Sequence, residues 1–418
     1  MNKKIAIVLG GTAPHIEVIR QLKERGFYTI LIDYFDNPPA RAAADEHIKE
    51  STMDQEKVLE IARERNASLV ISACVDQANI TACYTLEKMG LYAPYSYETA
   101  KKITNKGDMK KAMLDNDIPT SKYIYIDDAS NIPEIDLQFP LMVKPADSNS
   151  ANGVKKAENP EELKEYLDNA IKISRSNRAI VEEFVEGPEI SMYCFVQDKK
   201  AHLIMTAERI SIIEGEKNVL KCYSTIAPAR PAKGLENRIE EVATKIASVF
   251  ELDNTPLFIQ AIVKDGDVSI IEFMPRVGGS TCFSTIHDNT GFDIISATID
   301  SYLGIRPELN YHKCEHLLIT NEVYGKDCVF DHFEGEDELL KNNVIKHMIY
   351  HKAKGAVIEN SRAATSRLGA CIIEADSEDE MYDKVKTAFE KLDAFDDKGE
   401  NIIRREINIY NLLKCNNN

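Results

Sequence analysis

The feature of the sequence that most constrains the fold is the alternation of apolar strands and amphipathic helices over the first hundred residues. Residues 5–9 form an apolar run that ends in a glycine pair, and a helical pattern with Ile16, Ile19 and Leu22 on one face follows it. A β-branched strand at residues 28–33 comes next, and the same signals recur before residue 75. Strands that alternate with helices pair in parallel, so this part of the chain is predicted to be a doubly wound parallel sheet.

Polar residues stand where the predicted strands of this sheet end. Gly10-Gly11 follows the first strand, Asp33 ends the second, and Asp76-Gln77 follows the third. Ligands of such sheets lie beyond the carboxyl ends of the strands, so we expect Asp76 and Gln77 to contact a substrate. The glycine pair and Asp33 also suit NAD, but the full G-x-G-x-x-G fingerprint is absent, which leaves NAD as a weaker alternative.

Beyond residue 118 the pattern changes to strands with fewer helices between them. Helices are predicted at residues 160–173 and 235–250, an acidic helix at 377–392, and a hairpin at 257–273 that turns at 264–267. The whole chain is therefore predicted to combine an α/β part with an α+β part.

A strand that ends in a lysine is followed by a loop of small residues. Lys144 closes the apolar segment, and Ser148, Ser150 and Gly153 lie in the loop. Small residues let backbone N–H groups approach a phosphate, and the lysine adds a positive charge. The loop is thus predicted to be a lid over a nucleotide, with a flexible polar turn as the alternative.

A second segment joins a strand to a short acidic hinge. The backbone of Glu182, Glu183, Phe184 and Val185 would pair with an adenine edge, and the Glu189 carboxylate would accept from two ribose hydroxyls. An edge strand with a solvated acidic turn is the alternative interpretation.

Two polar residues lie inside the apolar strands of the predicted hairpin. Burial of Glu272 is costly unless a cation meets it, and Mg²⁺ bound to ATP is a suitable partner for Glu272 and Gln260. A loop with an odd number of residues would place both on one face, whereas a two-residue turn at Asp265-Gly266 would separate them. Arg276 would neutralise charge that develops during phosphoryl transfer, with a buried Glu–Arg pair as the alternative.

The order of these elements resembles the ATP-grasp superfamily, above all the branch that holds carbamoyl phosphate synthetase, biotin carboxylase and the L-amino acid ligases. The resemblance covers nearly the whole chain. It implies that Lys106 and Lys144 contact ATP phosphates, that the hinge holds adenine with Glu189 on the ribose, and that Gln260 and Glu272 bind Mg²⁺, with Mn²⁺ as a substitute. It departs from the family at Met274, where an asparagine ligand is common.

The same resemblance implies further roles and an architecture. Arg276 and Arg367 would be catalytic, and Gly278, Gly279 and Ser280 would lie near the acceptor substrate. The implied domains are an N-terminal pre-ATP-grasp domain at 1–105, an ATP-grasp domain at 106–310 and a C-terminal lobe at 311–418. Residues of about 118–186 would form a mobile lid subdomain within the second domain.

Charge and composition limit the partners. A net charge of −17 disfavours nucleic acid, and the apolar runs are too short to span a bilayer. We expect a cytoplasmic protein, open to homodimer formation, with nine free cysteines. If His312, Cys314 and His316 alternate on a strand they would share one face, which leaves a zinc site as a less favoured alternative.

The predicted function is therefore that of an ATP-dependent ligase, which joins a small carboxylate to an amine or a related nucleophile through an acyl phosphate. The alternatives are a phosphorylating enzyme similar to carbamoyl phosphate synthetase, without ligation, and a non-catalytic ATP-binding regulator.

Overall fold

The computed structural model describes residues 3–128, 136–147, 153–214, 219–279, 281–359 and 366–406, with side chains omitted for residues 212–221. Three residues predicted to belong to the site lie outside these ranges: Ser148, Ser150 and Ser280.

The N-terminal part is a parallel sheet with helices packed against it, in the strand order β3-β2-β1-β4. Its elements are β1 (Ile5–Leu9), α1 (Ala13–Glu24), β2 (Tyr28–Asp33), β3 (Glu46–Lys49), α2 (Gln55–Glu64), β4 (Leu69–Ile71) and α3 (Asp76–Met89). The predicted parallel sheet is confirmed. The buried face of α1 differs in one residue from the prediction, because Ile16 is 37% exposed while His15, Val18, Ile19 and Leu22 are buried.

An antiparallel sheet follows the helices α4 (Tyr97–Thr104) and α5 (Lys106–Asp115), and its strand order is β5-β8-β6-β7. Its elements are β5 (Tyr123–Ile126), β6 (Leu141–Pro145), β7 (Lys155–Ala157), α6 (Pro160–Ile173) and β8 (Ala179–Glu183). The helix α6 has the predicted bounds, because Asn159 caps it by accepting from Glu162 N and Pro160 suits its first turn. We call these four strands with α6 the small sheet; they lie in the range predicted for the lid.

A large antiparallel sheet forms the platform of the remaining chain, and the described residues contribute strands in the order β13-β12-β9-β10-β11-β14-β18-β16. The elements of this part are β9 (Glu189–Gln197), β10 (Lys200–Glu214), β11 (Val219–Ala227), α7 (Glu236–Val249), β12 (Thr255–Lys264), β13 (Asp267–Met274), α8 (Cys282–Thr290), α9 (Ile294–Tyr302), β14 (Leu317–Tyr324), β15 (Cys328–Glu334), α10 (Glu336–Lys341), β16 (His347–Tyr350), β17 (Val357–Ile358), β18 (Arg367–Ala375), α11 (Glu378–Lys391) and β19 (Asp393–Asp396). The predicted combination of α/β and α+β parts is confirmed.

The hairpin of β12 and β13 places Gln260 opposite Glu272 by a route that the sequence did not reveal. Lys264 pairs with Asp267 across the two-residue turn, a register in which Gln260 would face Ile271. A β-bulge between Gln260 and Ala261 inserts one residue into β13 and shifts the pairing, so Gln260 faces Glu272. The expectation that a two-residue turn separates these side chains is wrong, because the bulge reverses the alternation.

The segment around His312 is also different from the prediction. Residues 311–315 are irregular and β14 begins at Leu317, so the strand that would have aligned His312, Cys314 and His316 does not form. His316 Nδ1 lies 2.7 Å from Asp376 Oδ1. None of the described helices combines the length and apolar character that crossing a membrane requires.

Candidate active site

A row of polar side chains crosses one face of the large sheet. The Nζ of Lys106, at the start of α5, lies 2.5 Å from Glu272 Oε2 on β13. With its amide oriented so that both the oxygen and the nitrogen have partners, Gln260 on β12 donates to Glu272 Oε1 at 2.9 Å and accepts from Arg209 Nη1 at 3.0 Å. Arg209 on β10 then reaches Glu189 on β9, with Nε 2.6 Å from Oε1. The row therefore joins three predicted ligand groups of the nucleotide site through contacts between side chains.

The charges of this row are stabilised in their ionised forms. Burial raises the pKa of Glu272, but the ammonium of Lys106 and, further away, Lys144 and Arg276 hold it below its ordinary value. Burial lowers the pKa of Lys106, and the Glu272 carboxylate more than offsets this. An ionised carboxylate and a cation thus lie side by side at neutral pH, as a site for magnesium and phosphate requires.

A second charge cluster lies between the small sheet and α5. The carboxylate of Glu182 is 3.0 Å from both Lys110 Nζ and Lys144 Nζ, and it accepts from Ser121 Oγ at 2.8 Å. Burial raises the pKa of Glu182, but the two lysines and the hydrogen bonds outweigh it and set the pKa at about 2. Burial lowers the pKa of Lys110 to about 8 despite the neighbouring carboxylate.

In this cluster the Glu182 carboxylate pairs with two lysines, which the hinge prediction did not include. Glu182 pairs with Tyr123 on β5 and with Met142 on β6, so its backbone lies inside the small sheet. The N–H of Glu183 donates to Lys122 O, and that of Phe184 donates to Pro140 O. Phe184 and Val185 follow the end of β8, where the chain leaves the sheet. The adenine contact stays a prediction for this hinge.

Gly153, at the end of the lid loop, has a conformation that requires glycine. Its φ is +78°, and an added Cβ would lie 2.8 Å from both Ile173 Cδ1 and Pro145 Cγ. The described end of the loop is therefore packed closely against β6 and α6.

Arg276 joins the large sheet to the N-terminal sheet. Its guanidinium donates to both carboxylate oxygens of Asp76, with Nη2 3.0 Å from Oδ2, and Nη1 donates to Val277 O. Asp76 is the first residue of α3, and Gln77 beside it is half-buried. The predicted substrate residue Asp76 and the predicted catalytic residue Arg276 are thus in direct contact.

A small cleft lies beside this ion pair and is lined by Asp76, Asn79, Tyr95, Ala100, Ile103, Thr104, Met274, Pro275 and Arg276. Asn79 Oδ1 accepts from Tyr302, but Asn79 Nδ2 and the Tyr95 hydroxyl are buried and have no hydrogen-bond partner among the described residues. Such groups are costly unless a ligand or water meets them.

The two glycines after Arg276 differ in their packing. A Cβ on Gly278 would lie 2.9 Å from Cys282 Sγ and 3.0 Å from the Tyr193 ring, whereas Gly279 is exposed and has open space around it. The two residues therefore lead the chain from Arg276 into α8 along the edge of the cleft.

Arg367 lies on the same sheet as Arg209, beyond β11 and β14. Its Nη1 is 3.1 Å from Glu322 Oε1, and His351 Nε2 is 3.0 Å from Glu322 Oε2. Cys222 on β11 is close enough for its pKa to be affected by both arginines, although burial is the largest influence and raises it. The C-terminal part thus adds a third charged cluster, which lies on the same sheet as the row.

Several site residues were missed by sequence reasoning. Lys110 lies four residues after Lys106 in a helix, so the two share a face, and this spacing could have identified it. Arg209 is a charged residue inside an apolar strand, the same signal that singled out Gln260 and Glu272. Glu322 is also a charged residue inside an apolar strand and could have been identified in the same way.

Donors for a metal are limited around Glu272. Glu272 and Gln260 offer hard oxygens, while Met274 offers a thioether that Mg²⁺ binds poorly. In the part of the chain that the structure describes, no group of three or more His, Cys, Asp or Glu side chains could hold a metal ion. One carboxylate, one amide oxygen and the phosphates of a nucleotide fit a single Mg²⁺.

Comparison with known proteins supports the assignment of this fold. The family described as "D-ala D-ala ligase C-terminus" matches residues 113–294. A formate-dependent phosphoribosylglycinamide formyltransferase of Ignicoccus hospitalis is 26% identical over 280 residues, which cover 65% of this chain and 69% of that protein.

Two solved structures share the fold. The L-amino acid ligase of Bacillus licheniformis has a TM-score of 0.75 and 16% identity, covering 95% of this chain and 100% of that chain. The biotin carboxylase domain of the Hydrogenobacter thermophilus 2-oxoglutarate carboxylase, solved with MgADP, ADP and bicarbonate, has a TM-score of 0.77 and 15% identity, covering 99% and 94%.

The fold, the charged cleft and these similarities define an ATP-grasp ligase. The chain is similar to proteins of the branch that holds carbamoyl phosphate synthetase, biotin carboxylase and the L-amino acid ligases.

Proposed function

We propose that the protein joins a small carboxylate to an amine, with an acyl phosphate as the intermediate and with ADP and phosphate as products. The observation that carries this proposal is the placement of Glu272 on β13 and of Arg276 two residues beyond the end of that strand. Glu272 faces Lys106, while Arg276 faces the cleft that contains the unpaired Asn79 amide. A phosphate and metal site thus adjoins a site for an anion.

The nucleotide would lie between the small and the large sheets. Lys106 and Lys144 would bind its phosphates, and the hinge after β8 would meet the base. Glu272 and Gln260 would hold Mg²⁺, which supplies charge neutralisation at the phosphate oxygens when it is bound. The ADP and MgADP complexes of structural neighbours support this nucleotide and metal.

The acid substrate would occupy the cleft beside Arg276. The guanidinium has N–H groups beyond those that Asp76 and Val277 accept, and Asn79 Nδ2 adds a donor, so a carboxylate would be bound there. Asp76 would fix the orientation of Arg276, and the remaining N–H groups of Arg276 would bind the acid.

The reaction divides into two displacements. A carboxylate oxygen attacks the γ-phosphorus of ATP, the bond to the β-γ bridging oxygen breaks, and ADP leaves. The amine then attacks the acyl carbon, the bond to the phosphate oxygen breaks, and the amine loses a proton. Arg276 would stabilise charge on the transferring group, and Arg367 would face the acceptor from the C-terminal part.

The test is a screen of formate, bicarbonate, amino acids and other small carboxylates for ADP release in the presence of ATP and Mg²⁺. Hydroxylamine in place of the amine should trap the acyl phosphate as a hydroxamate. Arg276→Lys should lose acid-stimulated ADP release while it still binds MgATP, and Arg238→Lys, at an exposed ion pair with Asp267, is the matched control. Release of ADP without hydroxamate would favour phosphorylation without ligation, and binding of MgATP without release under any acid would favour a regulator.

A further inference from the structure

We propose that Arg209 is a positioning residue that couples the ribose subsite at Glu189 to the metal subsite at Gln260. This inference rests on the proposed nucleotide site and adds to it a residue to which the sequence analysis assigned no role. The guanidinium of Arg209 contacts one member of each subsite at the same time. Its Nε lies 2.6 Å from Glu189 Oε1, and its Nη1 lies 3.0 Å from the Gln260 amide oxygen.

The sheet register explains how one side chain reaches both subsites. β9 lies between β10 and β12, so Arg209 must cross β9 to reach Gln260. Ser191 on β9 pairs with Gln260 on one side and with Ala207 on the other. Both residues are small, which leaves room on this face for the long guanidinium side chain to lie across the strand.

The positive charge of Arg209 stabilises its position across β9. Glu189 and Glu272 both lower the energy of the charged guanidinium, since both raise the pKa of Arg209 against the effect of its burial. Without a cation between them, two carboxylates would face one cleft, and Glu189 would turn towards solvent. Arg209 therefore keeps Glu189 directed along the sheet, where the ribose hydroxyls of a nucleotide would meet it.

The shape of the guanidinium matters as well as its charge. A planar fork can meet a carboxylate and an amide oxygen at the same time, whereas a lysine ammonium is a point charge on a flexible stem. Arg209→Lys thus keeps the net charge of the cleft and removes the double contact, which makes it the informative substitution.

The experiment compares the binding of ADP and 2′-deoxy-ADP, each with Mg²⁺, by calorimetry. A hydrogen bond from a ribose hydroxyl to a carboxylate should give wild type a preference for ADP of about tenfold or more. We expect Arg209→Lys to lose most of this preference and to need more Mg²⁺ for half-maximal binding. Two separate readouts, ribose discrimination and metal dependence, should change together.

The matched control is Arg230→Lys. Arg230 is 23% exposed against 22% for Arg209, and it also pairs with a glutamate, since its Nε is 2.7 Å from Glu208 Oε2. Glu208 precedes Arg209 on β10 and therefore points to the opposite face of the sheet. The control should retain both the preference for ADP and the Mg²⁺ dependence of wild type.

Each outcome decides a different point. Failure of wild type to bind MgADP would refute the proposed nucleotide site itself. Normal discrimination in Arg209→Lys, or an equal loss for both nucleotides, would refute the positioning role, and the second result would indicate direct phosphate contact. If Arg209→Lys does not fold, Glu189→Gln should lose the same discrimination, and retention of it would overturn the proposal.

Discussion

Replacement of Glu182 by glutamine removes the negative charge that the buried Lys110 and the partly buried Lys144 share, while it keeps the shape of the side chain. Glu182 and Lys110 are 5% and 1% exposed, so water cannot screen the remaining ammonium groups. The folded pKa of about 2 lies below the ordinary 4.5, a difference of about 2.5 units, or about 3 kcal/mol of stability at neutral pH. Loss of one partner of a buried pair costs a similar amount.

The dependence on pH follows from the direction of this shift. The folded pKa of Glu182 is depressed, so its contribution is complete above pH 4.5 and is lost as pH falls towards 2. The difference in unfolding free energy between wild type and Glu182→Gln should therefore be about 3 kcal/mol near pH 7. At about pH 4 it should be smaller by roughly 1 kcal/mol.

The assay is urea unfolding of both proteins at the two pH values, with Glu186→Gln as a control at an exposed residue of the same hinge. A double-mutant cycle with Lys110→Met adds a second check, because removal of one buried ammonium should reduce the cost of Glu182→Gln. A loss below about 1 kcal/mol at neutral pH, or one that Lys110→Met does not reduce, would refute the charge-sharing cluster.

Glu272→Ala should reduce acid-stimulated ADP release by about a hundredfold or more, and should lower stability because Lys106 loses its partner; retained release would remove Glu272 from the metal site. Met274→Asn adds an oxygen ligand beside Glu272 and should lower the Mg²⁺ concentration needed for half-maximal ADP release. A higher requirement would instead assign Met274 to the acid cleft that it lines. Burial lowers the pKa of His15 from 6.5 to about 4. Wild type should therefore lose about 2 kcal/mol of unfolding free energy between pH 7 and pH 5. His15→Gln should not show this loss, and the midpoints of urea unfolding measure the difference. Equal losses in both proteins would contradict the buried neutral imidazole.

Local patterns determined most of the secondary structure of this protein. The bounds of α6 and β2 and the positions of α7 and α11 follow from apolar spacing, caps and β-branched runs, which act over a few residues. The order of lysine, lid, hinge and polar hairpin also indicated the superfamily, because those elements lie in a fixed sequence along the chain.

Local spacing could not determine which side chains meet. The bulge that places Gln260 opposite Glu272 is one inserted residue, and no turn rule reveals it. Arg276 and Asp76 are 200 residues apart and meet only because α3 packs against the end of β13. Such contacts depend on how whole sheets are placed.

The ion pairs of the site are also contacts between residues far apart in the chain. The sequence by itself determined that Lys144, Glu182, Glu189 and Glu272 stand at strand ends or inside apolar strands. Only the tertiary structure decided that Glu182 holds two lysines and that the other acids reach Lys106 and Arg209. The physical reason is that burial makes an unpaired charge costly but does not specify which opposite charge will pair with it, and that choice is made by the packing of strands far apart in the chain.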